Sequence, residues 1–295
     1  MAARLAWAAV VAVFFLMTLG NVVSATGSGL ACPDWPLCHG SLIPPLRLDV
    51  LIEYSHRLAA LAASVLIVAT TVLALRGSRA PGLRRLAWLL PALLAAQIAL
   101  GGITVLLKLP HLISTAHLVN ALLILAGLIV LARGLQSTAP ARAGDERLRR
   151  LARMGLIVLL VQLALGGYVR HSGAGLACPD FPLCSGDLLP TQWLAGVHWV
   201  HRWLGVLLLG LFIHVAVVGR TAATCLVAAL AGLQVALGIA TVLLQLTPTV
   251  RATHAAVGYS IWAVLVWVSV EAGCWRGSLT APARPGATRK AAHAA

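Results

Sequence analysis

The chain has 295 residues, of which 60% are hydrophobic and 10% charged, with a mean hydropathy of +0.93. Soluble domains are about 45–50% apolar and about 25% charged, so a water-soluble enzyme and a disordered chain are both excluded, and the composition is that of an integral membrane protein. The net charge of +14 would point to nucleic acid in a soluble protein; in a membrane protein it is read through the loops that carry it, and no nucleic-acid partner is inferred.

A spanning helix needs about 20 apolar residues. Eight such stretches are predicted, at roughly 5–25, 52–75, 86–107, 112–132, 154–170, 193–218, 222–245 and 252–273. Strand-like alternation is missing, which argues against a barrel. Arg4 precedes the first stretch, as in a cleavable signal peptide. The loop that follows reads Cys32-Pro33-Asp34-Trp35-Pro36-Leu37-Cys38. The second stretch opens with Glu53, His56 and Arg57, the third carries Gln97, Gly101 and Gly102, and the fourth carries His117. A basic segment, 133–153, leads to the fifth, which holds Gln162, Gly166, Gly167, Arg170 and His171. A second loop, Cys178-Pro179-Asp180-Phe181-Pro182-Leu183-Cys184, precedes the sixth stretch with His198, His201, Arg202 and His214. Gln234 and Gly238 lie in the seventh, Arg251 just before the eighth and His254 in it.

The two halves repeat. Gly27 to Cys38 recurs as Gly173 to Cys184, Glu53-x-x-His56-Arg57 as His198-x-x-His201-Arg202, and Gln97-x-Ala99-Leu100-Gly101 as Gln234-x-Ala236-Leu237-Gly238. His117 and His254 each follow their glutamine by 20 residues. The expected fold is all-α, with eight transmembrane helices as two tandem four-helix bundles. The expected units are 1–135 and 154–275, with a linker at 136–153 and a tail at 276–295. Four spans return the chain to its starting side, so the repeat is parallel, not inverted as in many transporters. The first helix matches the internal fifth, which argues that it is retained. Of the Lys and Arg residues, 16 fall on one side and 6 on the other, which predicts cytoplasmic termini and outer cysteine loops in a bacterial-type cell membrane.

His56, His117, His201 and His254 occupy equivalent places in the outer third of their spans. Ionisable groups at membrane depth are costly and usually face a bundle interior with a partner. A single such histidine reads as a packing residue; two per unit, at matched depth and repeated, read as ligands. Zinc prefers four tight ligands, whereas two imidazoles from facing helices suit the axial positions of a haem. The small residues near them allow close helix packing. Arg57 and Arg202 are candidates for binding anionic propionates, with snorkelling as the plainer role. Glu53 shares a helical face with His56, and His198 stands in its place in the other half. A carboxylate there suits proton transfer or support of the neighbouring ligand. The asymmetry places the chemistry in the first half and a permanent cofactor in the second. Each cysteine pair reads as a disulfide staple or a redox-active pair; a zinc site using His39 has too few ligands. Cys225 and Cys274 read as free thiols, His39, His111 and His293 as loop or tail residues, and the glutamines as interhelical hydrogen-bond formers.

Taken together, the Cys32–Cys38 loop, Glu53-x-x-His56-Arg57, the His117 helix, His201-Arg202 and the His254 helix resemble the haem A synthases of cytochrome oxidase assembly, over nearly the whole chain. The resemblance implies an oxidoreductase that converts a methyl group of haem O to the formyl group of haem A. It implies haem O between His56 and His117, haem b on His201 and His254, Glu53 as the catalytic acid and Cys32/Cys38 as the family's outer pair. It also implies membrane lipid as surroundings, haem O synthase and oxidase assembly proteins as partners, and a possible homo-oligomer. Two other readings stay open: a dihaem b-type cytochrome that only passes electrons, and a haem-carrying assembly factor without catalysis.

Overall fold

The computed structural model describes residues 1–78, 80–136 and 145–275. Arg79, Arg142, Arg276, Arg284, Arg289, Lys290 and His293, with the segments 137–144 and 276–295, lie outside the described residues. Among the described residues are eight long helices: α1 Ala2–Ala25, α2 Leu48–Gly77, α3 Pro81–Leu106, α4 His111–Gln136, α5 Glu146–His171, α6 Trp193–Gly219, α7 Ala222–Leu243 and α8 Pro248–Glu271. All eight are long and apolar enough to cross a membrane. The chain is therefore a multi-pass membrane protein.

All the helices but α7 overrun their predicted apolar stretches at one end or both, because a helix does not stop where the hydrocarbon does. The largest difference is at α5, where residues 146–153, expected as linker, form the first two turns. Asp145 caps them by accepting the Arg147 N–H at 2.8 Å. Glu146 pairs with Arg149 at 3.0 Å and Arg150 at 3.2 Å one turn on. These polar contacts let helix form outside the apolar slab.

Helices α1–α4 pack in a closed ring, each against the next and α1 against α4; α5–α8 do the same. The rings meet along α1, α4, α5 and α8. α4 touches α1, α3, α5 and α8, and Leu122, Leu125, Leu128 and Leu131 on it are fully buried against Ile261 and Leu265 of α8, among others. Association in lipid rests on such packing, since lipid tails are as apolar as leucine.

Polar contacts pin the two rings at three heights. Near the disulfide loops, Arg170 of α5 donates to the side chain and carbonyl of Asn21 in α1, whose amide donates to Ala252 O in α8 at 2.8 Å. Midway, Trp262 Nε1 donates to Leu122 O at 2.9 Å. At the opposite, basic end, Arg133 of α4 pairs with Glu271 of α8 and lies 4.5 Å over the Trp267 ring, which packs against Trp7 of α1 at 5.5 Å. A hydrogen bond between membrane helices contributes about 0.6 kcal/mol on average, whereas truncating a well-packed leucine costs about 2–5 kcal/mol. The aliphatic layer therefore supplies the adhesion, and the pins set its register.

The repeat extends to backbone conformation. Gly27 and Gly173 have φ of 75° and 76°, the pairs His39/Gly40 and Ser185/Gly186 are left-handed in both loops, and so are Lys108/Leu109 and Gln245/Leu246.

Candidate functional site

Each cysteine loop is closed by a disulfide, Cys32–Cys38 and Cys178–Cys184, and a bridge pairs Cys38 with Ser41 and Cys184 with Asp187. Asp34 accepts the His39 N–H at 2.6 Å and the Gly40 N–H at 2.8 Å; Asp180 accepts those of Ser185 at 2.7 Å and Gly186 at 3.0 Å. These donors favour the ionised carboxylate. The Gly40 N–H is the leading cause that lowers the Asp34 pKa, and the Ser185 N–H does so for Asp180. The carboxylates therefore cap both loops at neutral and mildly acid pH, and the cap is lost only as pH falls through those lowered values. His39 bonds Ala31 O at 2.9 Å through Nε2, a loop contact and no ligand set.

Both loops are anchored by the arginine that follows a helix histidine. Arg57 donates to Asp34 O (2.8 Å), Leu37 O (2.6 Å) and Cys32 O (2.9 Å). Arg202 donates to Asp180 O (2.6 Å), Leu183 O (3.2 Å) and Cys178 O. The guanidinium forks therefore hold loop carbonyls, a task that the sequence reading of these residues did not include.

Glu53 is buried, 3% exposed, with one oxygen accepting from Arg57 at 2.6 Å and the other from the Cys32 N–H at 2.8 Å. Glu53 thus ties the loop to α2. His198, in the equivalent place, accepts from Arg202 Nε at 3.2 Å through Nε2, and its Nδ1 has no partner. The two anchors differ: a carboxylate holds both an arginine and a loop amide, while an imidazole holds the arginine.

His56 and His201 are each the ninth residue of their helix, and His117 and His254 each the seventh. His56 and His117 lie within electrostatic range of each other in one ring, as do His201 and His254 in the other. Behind every imidazole sits a glycine placed five residues before the end of α1, α3, α5 or α7. A Cβ on Gly20 would lie 2.7 Å from His56 Cε1, and one on Gly166 2.7 Å from His201 Cε1. On Gly101 and Gly238 it would lie 3.2 Å from Cε1 of His117 and His254. Gly166, Gly101 and Gly238 were singled out in the sequence as packing residues. Gly20 was missed, although aligning Gly27 with Gly173 places it opposite Gly166.

The amide of Gln97 meets His117 Nε2 at 3.3 Å, and that of Gln234 meets His254 Nε2 at 3.3 Å. Gln97 is braced in turn by Asn120 at 2.7 Å. Gln162 donates to His201 O at 2.9 Å. The interhelical role expected of the three glutamines is observed. In all four histidines Nδ1 is buried with no hydrogen-bond partner. Buried polar atoms are normally satisfied; the Nδ1 of His198 is unpartnered as well, so what sets these four apart is their repeated, glycine-backed placement, two to a ring. Among the described residues no cluster of three or more His, Cys, Asp or Glu could hold a metal ion. A centre that brings its own equatorial ligands and needs only imidazoles, such as haem iron, fits this set.

The glycines carry a testable consequence. Gly166→Ala forces the His201 ring to shift or tilt, whereas Gly210, with open space around it, tolerates the same change. The absorbance of the purified Gly166→Ala protein is expected to show several-fold less bound haem than Gly210→Ala. Equal haem content in both would mean that the glycine does not set the ring.

His214 bonds Arg147 at 3.2 Å towards the basic end, His111 packs edge-on to Tyr168 at 5.4 Å, and Cys225 and Cys274 are free thiols. None of these joins the four histidines.

The chain is similar to known proteins. The model of the COX15-CtaA family, cytochrome oxidase assembly proteins, matches residues 3–50 and 47–266. The "Heme A synthase" of Bacillus licheniformis is 32% identical over 220 residues, which are 70% of this chain and 72% of that protein. That of Exiguobacterium sibiricum is 32% identical over 213 residues, covering 68% and 69%. That of Symbiobacterium thermophilum is 33% identical over 204 residues, covering 65% and 67%. With the match running through both cysteine loops and all four histidine helices, this chain belongs to the COX15-CtaA family of cytochrome oxidase assembly proteins.

Proposed function

We propose that the protein is a haem A synthase, which oxidises a methyl substituent of haem O to a formyl group. The observation that carries this reading is the set of four glycine-backed histidines at repeated positions, two to a ring, combined with a carboxylate beside only one of the two pairs. In this reading residues 1–135 hold haem O between His56 and His117, and residues 154–275 hold haem b on His201 and His254, joined through 136–153. Haem O synthase is the expected donor, and proteins of oxidase assembly the expected recipients of haem A.

Haem b supplies, when bound, a one-electron centre through which the electrons removed from the methyl group can leave. The protein's own residues do the rest. His56 and His117 fix the substrate ring in one plane and so hold its edge against a defined wall of the site. Glu53 handles protons: each oxygen has one partner, and a carboxylate offers about four lone-pair sites in all, so acceptor capacity remains. Arg57 and Arg202 are already committed to loop carbonyls, so towards the propionates they act as fixed positive charge and not as a free bidentate fork. The disulfide loops, clamped onto α2 and α6, keep water from the outer rim.

Mass spectrometry of haems extracted after expression with a haem O supply tests the reading. Haem A alongside haem b is expected. Haem O recovered unchanged would leave a carrier, and haem b alone in both units would leave an electron-transfer cytochrome.

We also propose that the disulfide end faces the oxidising outer compartment and that both termini are cytoplasmic. The support is the charge asymmetry and the persistence of disulfides where oxidation is permitted. After mild reduction of intact cells, a membrane-impermeant thiol reagent is expected to label Cys32, Cys38, Cys178 and Cys184 but not Cys225 or Cys274. Labelling of the last two alone would invert the orientation.

A further inference from the structure

An open groove of about 500 Å³ runs along α3, whose main packing partners are α2 and α4 of its own ring. Its volume lies within the range of about 300–1,000 Å³ typical of ligand sites. Its floor includes Ala95, Ala99, Gly102 and Leu106, and Trp35 of the first cysteine loop covers one end. From Ala95 to Leu106 the groove follows three turns, about 16 Å at 1.5 Å per residue. The lining side chains are apolar, so the matching ligand is a hydrocarbon chain.

Three observations tie the groove to the histidine site. Gly101 backs the His117 imidazole and Gly102 backs the Trp35 ring, where a Cβ would lie 3.1 Å from Cδ2. Consecutive residues of one turn thus serve both. Trp35 rides on the loop that Glu53 and Arg57 clamp to α2. And the two halves differ here as they do at Glu53: the residue after Gly238 is Ile239, and Phe181 stands for Trp35. A branched side chain replaces the glycine in the half without the carboxylate.

We propose that this groove binds the isoprenoid tail of the haem substrate, a proposal that rests on the reading of the first unit as the haem O site. Two axial imidazoles fix the plane of a porphyrin but leave it free to turn about the axis through them. An off-axis groove that takes the tail removes that rotation. It thereby selects which methyl substituent is presented to Glu53. Haem b has no such tail, and the second unit has no matching glycine.

The test compares haem O with protohaem, which has the ring but no tail, by absorbance titration into the purified full-length protein carrying its resident haem. Gly102→Ile copies the second unit but also meets the Trp35 ring; Ala99→Leu fills the groove from a second position. Both variants are expected to weaken haem O binding at least about tenfold, the scale of discrimination an apolar pocket achieves, with protohaem within about twofold of its native affinity. Equal weakening of both haems would show that the groove only supports the fold. Unchanged haem O binding in Ala99→Leu would give the groove to a bilayer acyl chain. Either result overturns the proposal and leaves the haem A synthase reading standing. An absence of any His56-dependent haem O binding in the native protein overturns that reading, and the tail site with it.

Discussion

Replacing Glu53 with glutamine is expected to cut haem A formation at least about tenfold, and up to the 10²–10⁴-fold range of general acid–base groups, while haem b stays bound. Glutamine keeps the size of the side chain and an oxygen to accept the Cys32 N–H, but it cannot hold or release the proton. Arg57 keeps the carbonyls of Asp34, Leu37 and Cys32, so its hydrogen bonds stay largely met, but its charge loses the carboxylate that paired with it. Because Glu53 also anchors the loop, a second readout is needed. The rate at which an impermeant reductant opens Cys32–Cys38 reports the anchor alone. A large fall in haem A with little change in that rate assigns Glu53 to chemistry. Near-normal haem A, or a fall that tracks the opening of the loop, would make it an anchor and nothing more.

The second large effect is a division of labour among the histidines. On the proposed function, His201→Ala or His254→Ala is expected to yield protein without its resident haem, because the change would remove one of the two imidazoles that hold it and open a hole in a buried, glycine-backed site. His56→Ala is expected to retain nearly all of that haem and to lose haem O binding. Pyridine haemochrome spectra of the purified variants decide it. Loss of the resident haem from His56→Ala, with His201 and His254 intact, would break the assignment of one group to each ring.

Much of this was legible in the sequence because it is local or repeated. A 20-residue apolar run announces a helix by itself, and a repeated Cys-x5-Cys loop announces a closed loop. The histidines stood out because an imidazole in a hydrocarbon setting demands a reason. What stayed hidden depends on residues far apart in the chain. No local pattern says that Gly20 meets His56, 36 residues on, or that Gly102 makes room for Trp35, 67 residues back. The loop-anchoring role of Glu53 was hidden for the same reason: its partner is a backbone amide, which every residue has, and only the fold shows which one lies within reach. The sequence offers Arg57 as a propionate partner or a snorkelling cation, and its hold on the loop carbonyls is not visible there, because charge can be read from a sequence while carbonyl direction cannot. The first turns of α5 were assigned to the linker because hydropathy marks where lipid ends, not where helical hydrogen bonding does.

The three pins between the rings bear on how fast charge can cross the protein. Electron transfer between two centres falls steeply with their separation, so a hinge of even a few ångströms would make the rate fluctuate over orders of magnitude. Arg170 with Asn21 near the loops, Trp262 on the Leu122 carbonyl midway, and Arg133 with Glu271 and Trp267 at the far end hold the rings at every depth. With one histidine pair in each ring, that bracing fixes the spacing of the two pairs. Under the proposed function, it would hold constant the distance an electron crosses between a haem held by one pair and a haem held by the other.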